Sequence, residues 1–365
     1  MKFVCRICGS EVEASKANYI CECGGMYDIV KSERSFKPSK ILDKEWSLFR
    51  YENSIPVNHS IWKDLSMGEG MTAIKPLSKA QPNLFVKLEY AMPTLSFKDR
   101  GAVVLISKAL QWGAKKLVQD SSGNAGVAVA AYASRGGLQC DIYVPKGTSE
   151  KKIAQIESHG AKVIIVNGSR EDTQKAAIEA SVDCDVFYAS HVFNPVFYEG
   201  TKTYIYEIYE QLGELPERLV VPLGNGSLFL GIYQALLEFK ESGLIVSYPE
   251  VIVVQAEGCA PIYEAFVSEE NEVFEVKNAG TEASGIAIAN PRRGNQILSA
   301  IREIGGKVIL APNNGIMEMK SHLAHLGYYV EPTTAATFAG YFDYVKSTGD
   351  DKKAIIPLCG SGLKK

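Results

Sequence analysis

Four short stretches hold residues whose type and spacing can do chemistry. Ser96-Phe97-Lys98-Asp99-Arg100-Gly101 places a lysine between an apolar, strand-like run at 84–88 and a helical pattern at 102–112. The partial positive charge of a helix start disfavours an ammonium there and favours a neutral amine or an imine. A lone lysine on such a loop would more simply be an exposed charge, but this one has company. Ser121-Ser122-Gly123-Asn124-Ala125-Gly126 follows a strand-like run and opens an alanine-rich helix, so its N–H groups and hydroxyls can converge on an anion such as a substrate carboxylate. An ordinary helix cap with a glycine turn would look the same. Gly224-Asn225-Gly226-Ser227-Leu228-Phe229-Leu230-Gly231 again joins strand to helix, and its glycines let backbone approach a phosphate. Such turns are common in α/β proteins, so this loop carries little by itself. The fourth stretch is Cys5, Cys8, Cys21 and Cys23, spaced C-x2-C-x12-C-x-C with glycines after each pair. Four thiolates so spaced fit a tetrahedral structural zinc, although the second pair is one residue shorter than a ribbon normally has.

The elements that must position these loops follow from periodicity. Strands are expected at 84–88, 116–119, 141–144, 162–166, 219–222 and 250–254, and helices at 102–112, 125–134 and 150–159. Alternation of apolar strands with helices predicts parallel βαβ units. The expected fold class is therefore α/β, with two wound parallel-sheet domains, a cofactor cleft and a short Cys-rich N-terminal unit. The expected division is 1–35 for the Cys-rich unit, 36–105 with 200–365 for a large domain, and 106–199 for a smaller one. Residues 31–40 read as a polar linker.

The bulk properties are those of a folded globular protein: 365 residues, 46% hydrophobic, 22% charged, net charge −3. Without a basic excess, nucleic acid is not an expected partner, and any phosphate must be held by local geometry. The first residues do not resemble a secretory signal, and no apolar stretch reaches the roughly 18 residues of a membrane span, so a cytoplasmic protein is expected. In a reducing compartment the scattered Cys140, Cys184, Cys259 and Cys359 are expected as thiols. His322 and His325 lie three apart on an expected helix with no third ligand nearby, which favours surface histidines over a metal pair.

Taken in order, the lysine, serine and glycine loops resemble the fold-type II family of pyridoxal-phosphate enzymes, and within it the threonine synthase branch most closely. The resemblance runs over nearly the whole chain. It starts at Gly68-Glu69-Gly70-Met71-Thr72 and passes through Pro93-Thr94-Leu95-Ser96-Phe97-Lys98-Asp99-Arg100-Gly101, which is similar to the family's PTGSFKDRG. It continues through Glu199-Gly200-Thr201-Lys202-Thr203, Ala289-Asn290-Pro291 and Glu331-Pro332, and ends at Leu358-Cys359-Gly360-Ser361-Gly362-Leu363-Lys364. It implies that Lys98 carries pyridoxal phosphate as a Schiff base and that Asn124 bonds the pyridine hydroxyl oxygen. Gly224, Asn225, Gly226, Ser227 and Leu228 would hold the phosphate, Cys359 would face the ring nitrogen, and the protein would be a homodimer. Ser121, Ser122, Gly123 and Ala125 are the implied substrate contacts.

Two positions depart from the family pattern. Ala125 stands where threonine synthases usually have a threonine, and Phe197 where they usually have an arginine; both family residues grip a substrate phosphate. Lys87, Arg292 or Arg293 could reach the same anion instead. The sequence thus points to a threonine-synthase-like lyase working by β/γ-elimination or replacement. Cys359, Ala125 and Phe197 also suit a serine or threonine dehydratase, and a non-catalytic amino-acid binder is a third alternative that retention of Lys98 disfavours.

Overall fold

Alternating apolar strands and helices do form parallel sheets, in two separate units. The computed structural model describes residues 1–30, 36–182 and 185–364, so Cys184 and the first half of the expected linker lie outside it. One unit comprises Met1–Gly70 and Met92–Thr203, the other Met71–Ala91 and Tyr204–Lys365. Among the described residues no helix is long and apolar enough to cross a membrane.

The first unit holds two sheets. Strands β1 (Lys2–Cys5), β2 (Glu11–Glu13) and β3 (Tyr27–Ile29) pair antiparallel in the order β2-β1-β3. Strands β6 (Lys116–Gln119), β7 (Gln139–Pro145), β8 (Lys162–Val166) and β9 (Val186–Tyr188) are all parallel, in the order β8-β7-β6-β9. Central β6 buries Leu117, Val118 and Gln119, whereas edge strand β8 leaves Ile165 exposed. The Cys-rich piece, expected as its own unit, belongs with this one. Phe3 is fully buried, stacked on Tyr27 at 5.8 Å and edge-on to Trp112 at 6.2 Å, which fastens the small sheet to the end of the helix Lys98–Gln111.

The second unit is one six-stranded sheet in the order β12-β11-β10-β13-β5-β4. Its strands are β4 (Ile74–Ser78), β5 (Gln81–Lys87), β10 (Arg218–Pro222), β11 (Glu250–Ala256), β12 (Lys307–Ala311) and β13 (Ala354–Pro357). Every pairing is parallel except β4 with β5. β10, in the middle, is buried along its whole length. β4 is the edge, and it can carry Pro76 because a proline's missing N–H is tolerated there; the register shifts between Pro76 and Ser78.

Residues 36–70 and 92–105 fall in the first unit rather than with the large domain where the sequence pattern put them. Burial explains this. The helix Lys98–Gln111 buries every residue from Asp99 to Ala109, and Glu69 is tied to the same unit by the Leu48 N–H on its carbonyl at 2.7 Å and the Tyr132 hydroxyl on its carboxylate at 2.8 Å. Such partners are distant in sequence, so periodicity could not show them.

Candidate active site

Lys98 is the first residue of the helix Lys98–Gln111 and is half-buried. Its surroundings are not the exposed loop that an isolated lysine would suggest. Phe97, Asp99 and Arg100 are buried, and the Lys98 Nζ lies 4.5 Å from the Phe97 ring centroid and 5.6 Å from that of Phe197. The approach to the lysine is shaped by Asp99, whose carboxylate accepts the Thr94 N–H at 2.7 Å and the Thr94 hydroxyl. Leu95, inside this loop, adopts φ +62°, a left-handed conformation that costs a side-chain-bearing residue about 1–2 kcal/mol. Strain of this kind is held only where neighbouring bonds over-determine the backbone.

The helix Val196–Thr201 crosses the lysine helix closely because both carry glycine at the crossing. A Cβ on Gly200 would lie 1.9 Å from the Arg100 carbonyl oxygen, and one on Gly101 would lie 2.3 Å from the Phe197 ring. Phe197 is therefore wedged, fully buried, beside Lys98. Arg100 adds a 2.9 Å bond to the Thr203 hydroxyl, and Lys202 pairs with Glu199 at 2.8 Å.

The serine loop lies in the same unit, at the carboxyl end of β6, where ligands of parallel sheets bind. Ser121, Ser122, Gly123 and Asn124 are half-buried, Ala125 is buried, and Asn124 opens the helix Asn124–Arg135. A Cβ on Gly126 would sit 1.9 Å from the Ser121 carbonyl oxygen, so the loop folds tightly onto the first helical turn. The sequence did not single out His191 or Asp120. His191 follows β9; its Nδ1 is sealed from solvent without a hydrogen-bond partner, and its ring meets Phe197 at 5.9 Å. Burial, then the charges of Lys98 and Arg170, hold its imidazole well below the usual 6.5. Burial raises the Asp120 carboxyl, against which Gln174 and Tyr188 work. A lone histidine six residues before Phe197 was the only trace of this in the sequence.

The glycine loop belongs to the second unit, at the carboxyl end of β10. Gly226 caps the helix Ser227–Glu241 with φ +76°, and a Cβ on it would meet Ile297 at 2.4 Å; one on Gly224 would meet the Gly285 carbonyl at 2.9 Å. Only a bare backbone fits here. The first-turn N–H groups of a 15-residue helix have no intrahelical acceptors, so they and Asn225, Ser227 and Leu228 form a cradle suited to a phosphate. The same unit brings together Glu331 and the Cys359-Gly360 turn: the Glu331 N–H donates to the Gly360 carbonyl at 3.0 Å, and the Cys359 N–H to the Thr334 hydroxyl at 3.1 Å. The Cys359 thiol is buried.

Lys87 needs correction as an anion-reaching lysine. It is fully buried on β5, paired with Glu207 at 2.9 Å and donating to the Thr72 carbonyl at 2.8 Å, so its charge is engaged inside the unit. Arg292 is exposed, while Arg293 is buried and bonds Gln296 at 2.8 Å. A surface hollow of about 530 Å³ opens at the amino ends of β10 and β11, beside Tyr209, Glu217, Tyr248 and Glu250. That is the opposite end of β10 from the glycine loop.

Cys5, Cys8, Cys21 and Cys23 converge, with all four sulfurs within 4.8 Å of one another. Cys5 and Cys23 are 3.4 Å apart and Cys8 and Cys21 3.7 Å, and a Cβ on Gly25 would lie 2.5 Å from the Cys5 sulfur. His322 and His325 are exposed on the helix Ile316–His325.

Comparison with known proteins agrees with this geometry. The sequence profile of a family described as pyridoxal-phosphate dependent enzyme matches residues 65–360. A threonine synthase of Methanocaldococcus jannaschii is 32% identical over 99% of this chain and 92% of its own length. One of Methanosarcina acetivorans is 33% identical over 99% and 91%. Among solved structures, the processed form of threonine deaminase isoform 2 from Solanum lycopersicum superposes with a TM-score of 0.71 at 22% identity, over 92% of this chain and 95% of that one. Maize serine racemase superposes with a TM-score of 0.69 at 20% identity, over 80% and 88%. At those identities the structures speak for the fold alone, whereas the family profile and the full-length relatives speak for the lineage. The chain belongs to the pyridoxal-phosphate-dependent enzymes, as a threonine-synthase-like member.

Proposed function

We propose that this enzyme eliminates or replaces a β or γ substituent of an amino acid, and that the substituent is not a phosphate. The observation that carries the second part is Phe197, a phenyl ring wedged 5.6 Å from the Lys98 amine. The residues present fit the cofactor: a lysine at a helix start, and a side-chain-free turn at a helix N-terminus. Bound pyridoxal phosphate supplies the electron sink for the amino-acid carbanion.

The chain's own residues do the rest. Lys98 would anchor the cofactor and would move the α-proton. Asn124 would bond the ring hydroxyl oxygen, and the backbone of Gly224, Asn225, Gly226, Ser227 and Leu228 would hold the phosphate. Cys359 would face the ring nitrogen, and a thiol there, unlike a carboxylate, would not stabilise a pyridinium. The loop Ser121 to Ala125 holds the substrate carboxylate through N–H groups and hydroxyls. Methyl and phenyl groups at Ala125 and Phe197 forgo contacts worth about 1.5–3 kcal/mol each to a phosphate. O-phosphohomoserine should then react about two to four powers of ten less efficiently than in synthases that have both groups, if the losses add.

A panel of O-phosphohomoserine, O-phosphoserine, serine, threonine and diaminopropionate, with product identification, tests this. A high kcat/KM for O-phosphohomoserine, unimproved in the Ala125→Thr, Phe197→Arg double variant, would sink the non-phosphate assignment. Release of ammonia and a keto acid from serine or threonine would select the dehydratase reading, which Cys359 and Phe197 also favour.

The same proposal includes a structural zinc on Cys5, Cys8, Cys21 and Cys23. Zinc–sulfur bonds of about 2.3 Å place tetrahedral thiolates roughly 3.8 Å apart, close to the spacings found here. The expectation of a cytoplasmic homodimer rests on the family resemblance, and light scattering of the purified protein tests its dimeric half.

A further inference from the structure

A phenyl ring at position 197 offers the oxygen of a substrate nothing to bond. Its neighbour does. His191 follows β9, and its ring meets that of Phe197 at 5.9 Å and 63°, while the Lys98 amine lies 5.6 Å from the same phenyl ring. All three residues belong to the first unit. Phe197 has no room to move, because a Cβ on Gly101 would already lie 2.3 Å from it. The imidazole is therefore held against the ring that the amine faces.

The two nitrogens of this imidazole are not alike. Only Nδ1 is sealed from solvent without a hydrogen-bond partner, whereas the residue as a whole is half-buried, so the open edge of the ring is the one that carries Nε2. Burial, with the charges of Lys98 and of Arg170 at the start of the helix Arg170–Ala180, keeps the ring neutral, and a neutral imidazole has one N–H. A lone pair without a partner costs less to bury than an N–H without one, which puts the proton on Nε2.

We infer that His191 is a specificity-determining residue, its Nε2–H donating a hydrogen bond to an uncharged oxygen on the β or γ carbon of the substrate, as in a hydroxy-amino acid. This rests on the reading that the substituent is not a phosphate. A neutral donor bonds a hydroxyl oxygen but does not balance the charge of a phosphate, and it has no acceptor to give the ammonium of diaminopropionate. Serine, threonine and homoserine carry the oxygen that it needs.

The test uses the full chain as Lys98→Ala saturated with pyridoxal phosphate, in which binding is measured without turnover. Calorimetry gives dissociation constants for serine against alanine and for homoserine against 2-aminobutyrate, pairs that differ by the hydroxyl alone. The same constants are measured after adding His191→Leu or His191→Gln. The hydroxyl should tighten binding in at least one pair, and His191→Leu should reduce that preference by about threefold to tenfold, the worth of one neutral hydrogen bond. His191→Gln, whose amide still donates, should keep it, which a merely space-filling role would not produce. No hydroxyl preference in either pair, or a preference unchanged in His191→Leu, overturns the inference. If His191→Leu does not fold, the nitrogen-15 resonance of Nε2 is compared between the complexes of the two members of a pair; identical resonances overturn it equally. Efficient turnover of O-phosphohomoserine by the wild type would instead defeat the non-phosphate reading, and the hydroxyl preferences would still decide the bond to His191.

Discussion

At the scale of single residues, Lys98 and His191 give the sharpest expectations. Lys98→Ala should abolish turnover and the visible absorbance of attached cofactor, while circular dichroism stays native, because the truncated side chain is only half-buried. Residual wild-type-like turnover in that variant would remove the central claim. His191 makes folding pH-dependent. Its imidazole is neutral in the folded protein and held well below 6.5, so the unfolded chain binds the proton more readily. The stability it contributes is complete above about 6.5 and is lost as pH falls below that value toward the folded one, with a slope of at most about 1.4 kcal/mol per pH unit. Melting temperatures measured across that window should fall less steeply in His191→Asn than in the wild type. Parallel curves would show that the imidazole is not held neutral.

Among the elements, the crossing of Lys98–Gln111 with Val196–Thr201 is the most exacting. Gly101→Ala drives a methyl into the Phe197 ring, and overpacking of this kind costs about 1–3 kcal/mol. The variant should melt lower and attach the cofactor more weakly, since Phe197 and Lys98 move together. Cofactor affinity unchanged alongside a lowered melting temperature would mean that the crossing serves stability alone. In the second unit, Lys87 and Glu207 form a fully buried pair between β5 and the helix Thr203–Leu212. Lys87→Met alone should cost about 3–5 kcal/mol by stranding the carboxylate, and adding Glu207→Met should recover much of it. Denaturant unfolding of the two variants checks this, and an equal or greater loss in the double variant would contradict it. Sequence pattern could mark Lys87 as a lysine on a strand beside the lysine loop. It could not tell a substrate lysine from a structural one, because Glu207 lies 120 positions away.

For the molecule as a whole, the N-terminal cluster should act on stability and leave the chemistry alone. The four sulfurs lie on two glycine-backed turns of the small sheet, far in sequence from the lysine, serine and glycine loops. Chelation, or Cys5→Ser with Cys8→Ser, should lower the melting temperature and release zinc without altering the cofactor absorbance. Elemental analysis of the purified protein without zinc would refute the metal. The same small sheet shows how a local motif can be legible while its place is not. Its spacing suggested an independent unit, yet the burial of Phe3 against Tyr27 and Trp112 joins it to the first unit.

The sequence by itself determined the lineage, the lysine, the parallel strands and the glycine-bearing turns. These are encoded over a few residues, through side-chain alternation, helix starts and positions where only glycine fits. Strands β6 and β8 fall where the pattern put them, at Lys116–Gln119 and Lys162–Val166. Strands β4, β9, β12 and β13 went unseen, although β12 is as long and as apolar as β8. Tertiary structure alone decided what each charged or polar side chain does once buried. It committed Lys87 to Glu207, closed Phe197 onto Gly101 and left the His191 Nδ1 without a partner beside the Phe197 ring. The reason is physical: burial and pairing are set by residues tens to hundreds of positions apart, and no local period records which of them will meet.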